Sequence, residues 1–553
     1  MKSRSEVIAL KFAVVLLALA SSTLVFRSGD TLPDLPLTED GYYLLTVVRH
    51  IALGDGITID GHQWTNGFQP LFAFLLVPVY FLCGGDRMTS LRGVLAVHWL
   101  MHVATALLVG SIVKAWLGTR DPEAGARGFW IGAFFWLASR QVLVLSFNGL
   151  ETGSLLLLYA VVWRCDQAVS LEGWRLAGFG ALLGLLALAR IDATIFVVLL
   201  VADELFRSER PWRARLWRAL VLASTSLLVS SPWWIYNLAL SGSLMPSGGT
   251  AQLVPFSSER IAPMLMAFMS RGMAYLPTGW VDGAPEGFAY GLLAVAVAWF
   301  VTRAVRDTVE TGFRVGRMIA LATLLLAVYY VWSSGALWFY TRYLAPFMVV
   351  AIPATALALA RIRRFRIFAQ VGVLAPIGAV AVLSILTWHH WRELRQSEPY
   401  LEQLRLVEKF VPPGDVVSAG QSGTLGYFRD HVVNLDGKVN AEALRYRGRM
   451  LEYLRRHDIR WFCDWNVEFF LGPDPARDGW TRIAGDGLFV LLHRGDPLPA
   501  RGRDVGGHRR PADRGRSSRG CAPDGIRAGP RPPRRSSRCP HARGRHVAPA
   551  RGA

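Results

Sequence analysis

The chain is 553 residues long and 52% of it is hydrophobic, an apolar share beyond what a soluble protein of this size needs. The formal charge of +19 is unevenly placed, with 15 Arg against 3 Asp in residues 500–553. No recognition motif accompanies that basic charge, so nucleic acid is excluded as a partner. The five cysteines, Cys83, Cys165, Cys463, Cys521 and Cys539, show no paired spacing, which excludes a disulfide framework and a zinc site.

Lys2, Arg4 and Lys11 lead into an apolar run that ends near Phe26. Ala18-Leu19-Ala20 offers a signal-peptidase-like site, but in a multi-span chain the three basic residues anchor an uncleaved first span in the cytoplasm. Runs long enough to cross a bilayer fall at 7–26, 93–117, 128–147, 152–168, 173–189, 191–206, 217–239, 287–304, 317–334, 343–361 and 366–388. The run Phe68–Leu82 is short and carries Pro70 and Pro78. If it does not span, the Arg clusters at 120–127, 164–175, 207–218, 303–317 and 361–366 all lie inside. If it spans, all five move outside. The positive-inside rule therefore selects eleven spans, with residues 27–92 and 241–286 outside.

Past Trp388 the hydropathy falls. Helix-like stretches (Leu401–Val411, Ala441–His457) alternate with strand-like ones (Val416–Ser418, Val432–Leu435, Ile459–Cys463, Gly487–His493) between glycine-rich turns. The expected organisation is a mainly α, polytopic transmembrane bundle over 1–388. A small extracytoplasmic α/β domain follows over 389–497, and a disordered Arg/Pro/Gly-rich tail over 498–553.

Ionisable residues gather at the outer ends of the spans. Thr38-Glu39-Asp40 precedes apolar positions Leu44, Val47, Val48 and Ile51 at helical spacing, so Thr38 reads as an N-cap with two carboxylates in the first turn. Taken alone this is a dipole-favouring helix start. At the mouth of a membrane bundle an ionisable group is a functional candidate. Asn148-Gly149-Leu150-Glu151 is a second outer acidic turn. Arg342 opens the span at 343, where a guanidinium can hold an anionic headgroup or can snorkel. Arg190 and Asp192 sit together between two spans, and Arg140 lies inside a span, where it needs a carboxylate or phosphate.

Taken together, Glu39-Asp40-Gly41-Tyr42-Tyr43, Leu53-Gly54-Asp55-Gly56, Thr65-Asn66-Gly67-Phe68-Gln69-Pro70-Leu71 and Gly149-Leu150-Glu151-Thr152 form a pattern that resembles the GT-C superfamily of membrane glycosyltransferases. So do Arg342-Tyr343-Leu344-Ala345-Pro346 and the segment Gly420–Phe428. The nearest likeness is to bacterial lipid-linked-sugar transferases related to protein O-mannosyltransferases and mycobacterial arabinofuranosyltransferases, over roughly residues 5–495. The resemblance implies a polyprenyl-phosphate-linked sugar donor and a glycan, lipid or protein acceptor on the extracytoplasmic face of the inner (plasma) membrane. It implies Asp40 as general base with Glu39 assisting, Glu151 lining the site, and Arg342 and Arg190 holding the donor phosphate. Trp233-Trp234 is followed by Ile235, which departs from the oligosaccharyltransferase Trp-Trp-Asp signature. The first loop also lacks the Glu-Lys-Pro of the lipid A aminoarabinose group. A divalent metal is compatible with Asp40 and Glu151 but is not required by a monophosphate donor. The rival classes are a lipid or solute transporter or flippase, which calls for internal repeats not seen here, and a non-catalytic envelope-assembly subunit.

Overall fold

The computed structural model describes residues 2–118, 121–168, 171–207, 210–272, 313–334, 340–362, 399–485 and 487–495. The spans expected at 287–304 and 366–388 and the tail from 498 lie outside the described residues.

Among the described residues, three helices are long and apolar enough to cross a bilayer: α4 (Arg87–Gly118), α10 (Trp212–Ser241) and α12 (Arg314–Ser333). The span expected at 128–147 is instead two helices, α5 (Pro122–Ala138) and α6 (Arg140–Ser146), bent by 65°. The break has a local cause. Ser139 adopts extended backbone, and its Oγ accepts from Val142 N at 3.2 Å, so it caps a new helix rather than continuing the old one. Arg140 therefore opens α6 instead of sitting mid-span.

The remaining apolar helices are α1 (Lys2–Ser22), α3 (Pro70–Leu82), α7 (Thr152–Ala168), α8 (Trp174–Ala189), α9 (Thr194–Phe206), α11 (Ile261–Gly272) and α13 (Met348–Ile362). α3 has 13 residues, about 20 Å of helix, which is short of a hydrocarbon core of roughly 30 Å. A large apolar core joins α1, α4, α5, α7, α8, α9, α12 and α13. A second core lies under the first loop, formed by α2 (Glu39–Leu53), α3 and the start of α4, and it takes in Tyr427 and Val439 from the far end of the chain.

Residues 400–494 hold a five-stranded sheet in the order β2-β1-β3-β5-β4. The strands are β1 (Val417–Ala419), β2 (Val432–Asn434), β3 (Trp461–Asp464), β4 (Trp480–Ala484) and β5 (Val490–Arg494). β1 runs parallel to both β2 and β3, and β5 is antiparallel to β3 and β4. The loops after β1, β2 and β3 thus leave from one edge, the position that open α/β sheets use for ligands. That edge faces α2. Tyr43 Oη donates to Gly420 O at 3.0 Å after β1, and Tyr80 and Tyr427 hydroxyls meet at 2.9 Å.

Candidate active site

The site begins at the start of α2. Thr38 is its N-cap, its Oγ1 accepting from Gly41 N at 3.3 Å, and Gly54 ends the helix at φ +91°. Thr38 N and Oγ1 both donate to Asn148 O, at 3.2 and 3.0 Å. A Cβ at Gly41 would collide with that same carbonyl, and Gly149, at φ +80°, presses its backbone on Gly41. Two glycines thereby bring the Asp40 turn and the Glu151 turn, which are far apart in sequence, into contact.

Successive helical residues point about 100° apart, and Glu39 and Asp40 part accordingly. Glu39 turns to the sheet edge: its carboxylate accepts from Gly423 N, from Thr424 N at 2.7 Å and from Thr424 Oγ1 at 2.6 Å. Burial pushes its carboxyl up to about 7, against those hydrogen bonds, which favour the ionised form. Asp40 turns into a cavity of about 320 Å³ between the helices and the sheet edge, also lined by Glu151, Arg190, Asp192, Arg342, Tyr343 and Lys438.

Within that cavity Asp40 Oδ2 lies 3.2 Å from Arg342 Nη1, and Asp40 Oδ1 lies 3.3 Å from Lys438 Nζ. Burial opposes the charge on Asp40, but Lys438 and Arg342 together hold its carboxyl below the usual carboxylate range. Lys438 also meets Asp436 Oδ2 at 3.4 Å. Burial alone would weaken its ammonium, and the two aspartates more than restore it. Arg190 pairs with Asp192, has Glu151 Oε1 at 3.8 Å, and donates to the Arg342 carbonyl at 3.5 Å. Tyr330 Oη donates to Asp192 at 2.6 Å, and its ring stacks on Tyr343 at 4.1 Å. Arg190 and Arg342 lie 5.1 and 5.5 Å from the Tyr343 ring centroid, a cation–π arrangement that keeps both guanidinium groups at the cavity wall.

Of the five residues to which the resemblance gives a site role, Asp40, Glu151, Arg190 and Arg342 line one cavity, while Glu39 faces the sheet edge. Lys438 was missed. It sits in Leu435-Asp436-Gly437-Lys438, a polar turn after a strand, and nothing local in that turn indicates a partner in the first loop. Its backbone is clasped by other segments: Ser247 Oγ donates to Lys438 O at 2.8 Å, and a Cβ at Gly67 would strike the same oxygen. Among the described residues no group of three or more His, Cys, Asp or Glu is gathered as a metal would require, and Asp40 is already paired with two cations.

No protein-family model matches the chain, and no curated protein matches it. Solved structures do. The crystal structure of ArnT from Cupriavidus metallidurans bound to undecaprenyl phosphate aligns with a TM-score of 0.58 and 14% identity, covering 87% of this chain and 97% of that one. Its apo state aligns at 0.55 and 14%, covering 86% and 97%. The archaeal oligosaccharyltransferase AglB from Archaeoglobus fulgidus, in complex with an inhibitory peptide and a dolichol-phosphate, aligns at 0.48 and 12%, covering 89% and 75%. The chain thus shares the fold of the ArnT structures, and among the described residues three of its helices are long and apolar enough to cross a membrane.

Proposed function

We propose that this protein is an inverting GT-C glycosyltransferase that moves a sugar from a polyprenyl-phosphate donor to a hydroxyl of a glycan, lipid or protein on the extracytoplasmic face. The observation that carries the reading is the convergence of Asp40, Glu151, Arg190 and Arg342 on one cavity, in a fold shared with a protein crystallised with undecaprenyl phosphate. Arg342 and Arg190 hold the donor phosphate, since guanidinium groups fixed over an aromatic ring offer forked donors to phosphate oxygens. Asp40, ionised at neutral pH, takes the acceptor proton. The freed oxygen bonds to the anomeric carbon as the bond to phosphate breaks, and the electron pair leaves with the polyprenyl phosphate. The arginines neutralise the charge that develops there. Glu151 holds Arg190 and lines the sugar side. Glu39, one residue from the base, supports it by fixing the start of α2 against the sheet edge.

Mass spectrometry of envelope glycans from cells with and without the protein tests this reading. Loss of one sugar from one glycan class is expected, with restoration by the wild-type gene and not by Asp40→Asn. Unchanged glycans in the deletion strain sink it.

A further inference from the structure

Asp40 is an awkward base as it stands. Each of its oxygens is taken by a cation, Arg342 at 3.2 Å and Lys438 at 3.3 Å. Such pairing favours the ionised form and so lowers its affinity for a proton. The charged groups on the cavity wall are three carboxylates (Asp40, Glu151, Asp192) and three cations (Arg190, Arg342, Lys438) among the described residues. An arriving phosphate therefore meets no surplus of positive charge on that wall. It must draw on cations that already serve a carboxylate.

Of those three cations, two serve Asp40. Lys438 differs from Arg342 in its stem. Its backbone is fixed by Ser247 and Gly67, but its ammonium stands on a flexible stem between Asp40 and Asp436. We propose that Lys438 is a further phosphate-binding residue, and that donor phosphate activates Asp40 by taking Lys438 and Arg342 from it.

This inference rests on the donor reading above and deepens it. With its cations turned to the phosphate, Asp40 faces new negative charge and regains proton affinity, so the base becomes competent only when the donor is in place. The acceptor proton then passes to Asp40. Lys438 and Arg342 are left on the phosphate oxygens, where the electron pair of the breaking bond arrives. In the absence of donor, the same pairing keeps Asp40 ionised and silent.

The test is binding of farnesyl phosphate to the purified full-length protein in nanodiscs at pH 8 and low salt. Wild type is compared with D40N, K438Q, the double variant and K438R, with thermal unfolding of each recorded in the same preparation. Competition predicts that D40N binds about tenfold tighter and K438Q about tenfold weaker. It also predicts that the gain from D40N shrinks to about threefold in the K438Q background, because the shared cation is gone. K438R, which keeps the positive charge, should lose less affinity than K438Q. D40N that binds no tighter, or a gain that persists in full without Lys438, overturns the inference while leaving the donor reading standing. Failure of every protein, wild type included, to bind farnesyl phosphate overturns the donor reading and this inference with it. Should K438Q not fold, D40N alone decides, since absence of tightening still overturns the proposal.

Discussion

Asp40 Oδ1 and Lys438 Nζ meet at 3.3 Å across 398 residues of chain, so the first loop and the C-terminal sheet share one charge pair at the cavity. The substitution Asp40→Asn keeps the shape of the side chain and removes its charge. Transfer is expected to fall by about two to four orders of magnitude, the usual contribution of a general base, with the fold retained. Transfer of radiolabelled sugar in envelope vesicles, beside circular dichroism of the purified variant, measures both. Activity within a few-fold of wild type would remove Asp40 from its role.

Glu39 gives the protein a pH signature. Its folded-state pKa, about 7, lies above the ordinary carboxylate value of 4.5, so the folded state binds the proton more tightly than the unfolded one. The stability it contributes is full below about 4.5 and is lost as pH rises through about 7. Thermal unfolding in detergent between pH 5 and 8 should show this decline, and Glu39→Gln should flatten it. A wild-type profile that rises across the window contradicts the assignment.

Gly41→Ala places a Cβ against the Asn148 carbonyl, which is backbone and cannot move aside. A loss of about 1–3 kcal/mol is expected from the forced repacking, together with reduced transfer, because the Asp40 and Glu151 turns are pushed apart. Gly178→Ala on α8 is the contrast. A Cβ there meets nothing within 4 Å, and the helix should gain about 0.5–1 kcal/mol. Unfolding curves of the two variants side by side decide the point.

A second charge cluster lies at the other end of α7. Glu204, its side chain 1% exposed, serves Arg218 and Arg314, and Arg314 also reaches Asp166 at 3.4 Å. Asp166 is 15 residues beyond Glu151 along α7, about 22 Å of helix. Glu204→Ala should therefore destabilise the fold by about 3–5 kcal/mol, since two guanidinium groups lose a buried partner. Affinity for farnesyl phosphate should stay as in wild type. A binding defect without a stability defect would mean that the two ends are coupled.

Local signals were legible in the sequence where one stretch of chain carries the whole cause. Thr38 as N-cap of α2, the apolar face behind it, and strands β1, β2, β3 and β5 were readable because capping and alternation are short-range. β4 was not readable, since Trp480–Ala484 is an edge strand whose central residues face solvent. The bend at Ser139 was not readable even though Ser139-Arg140-Gln141 interrupts the apolar run, because hydropathy reports polarity and not direction. The direction taken by Glu39 and the arrival of Lys438 at Asp40 depend on tertiary contacts between residues nearly 400 positions apart, and no window of sequence contains both partners.

That separation has a consequence for biosynthesis. Lys438 leaves the ribosome 398 residues after Asp40, roughly 20–80 s at ordinary elongation rates. Until Lys438 emerges, Asp40 is without one of its two cations, and for most of that interval Glu39 is without the amides of Gly423 and Thr424. The charged cavity is therefore completed only once Lys438 has been made. A translation product that stops short of Lys438 would hold Asp40 with only one of its two cations, Arg342.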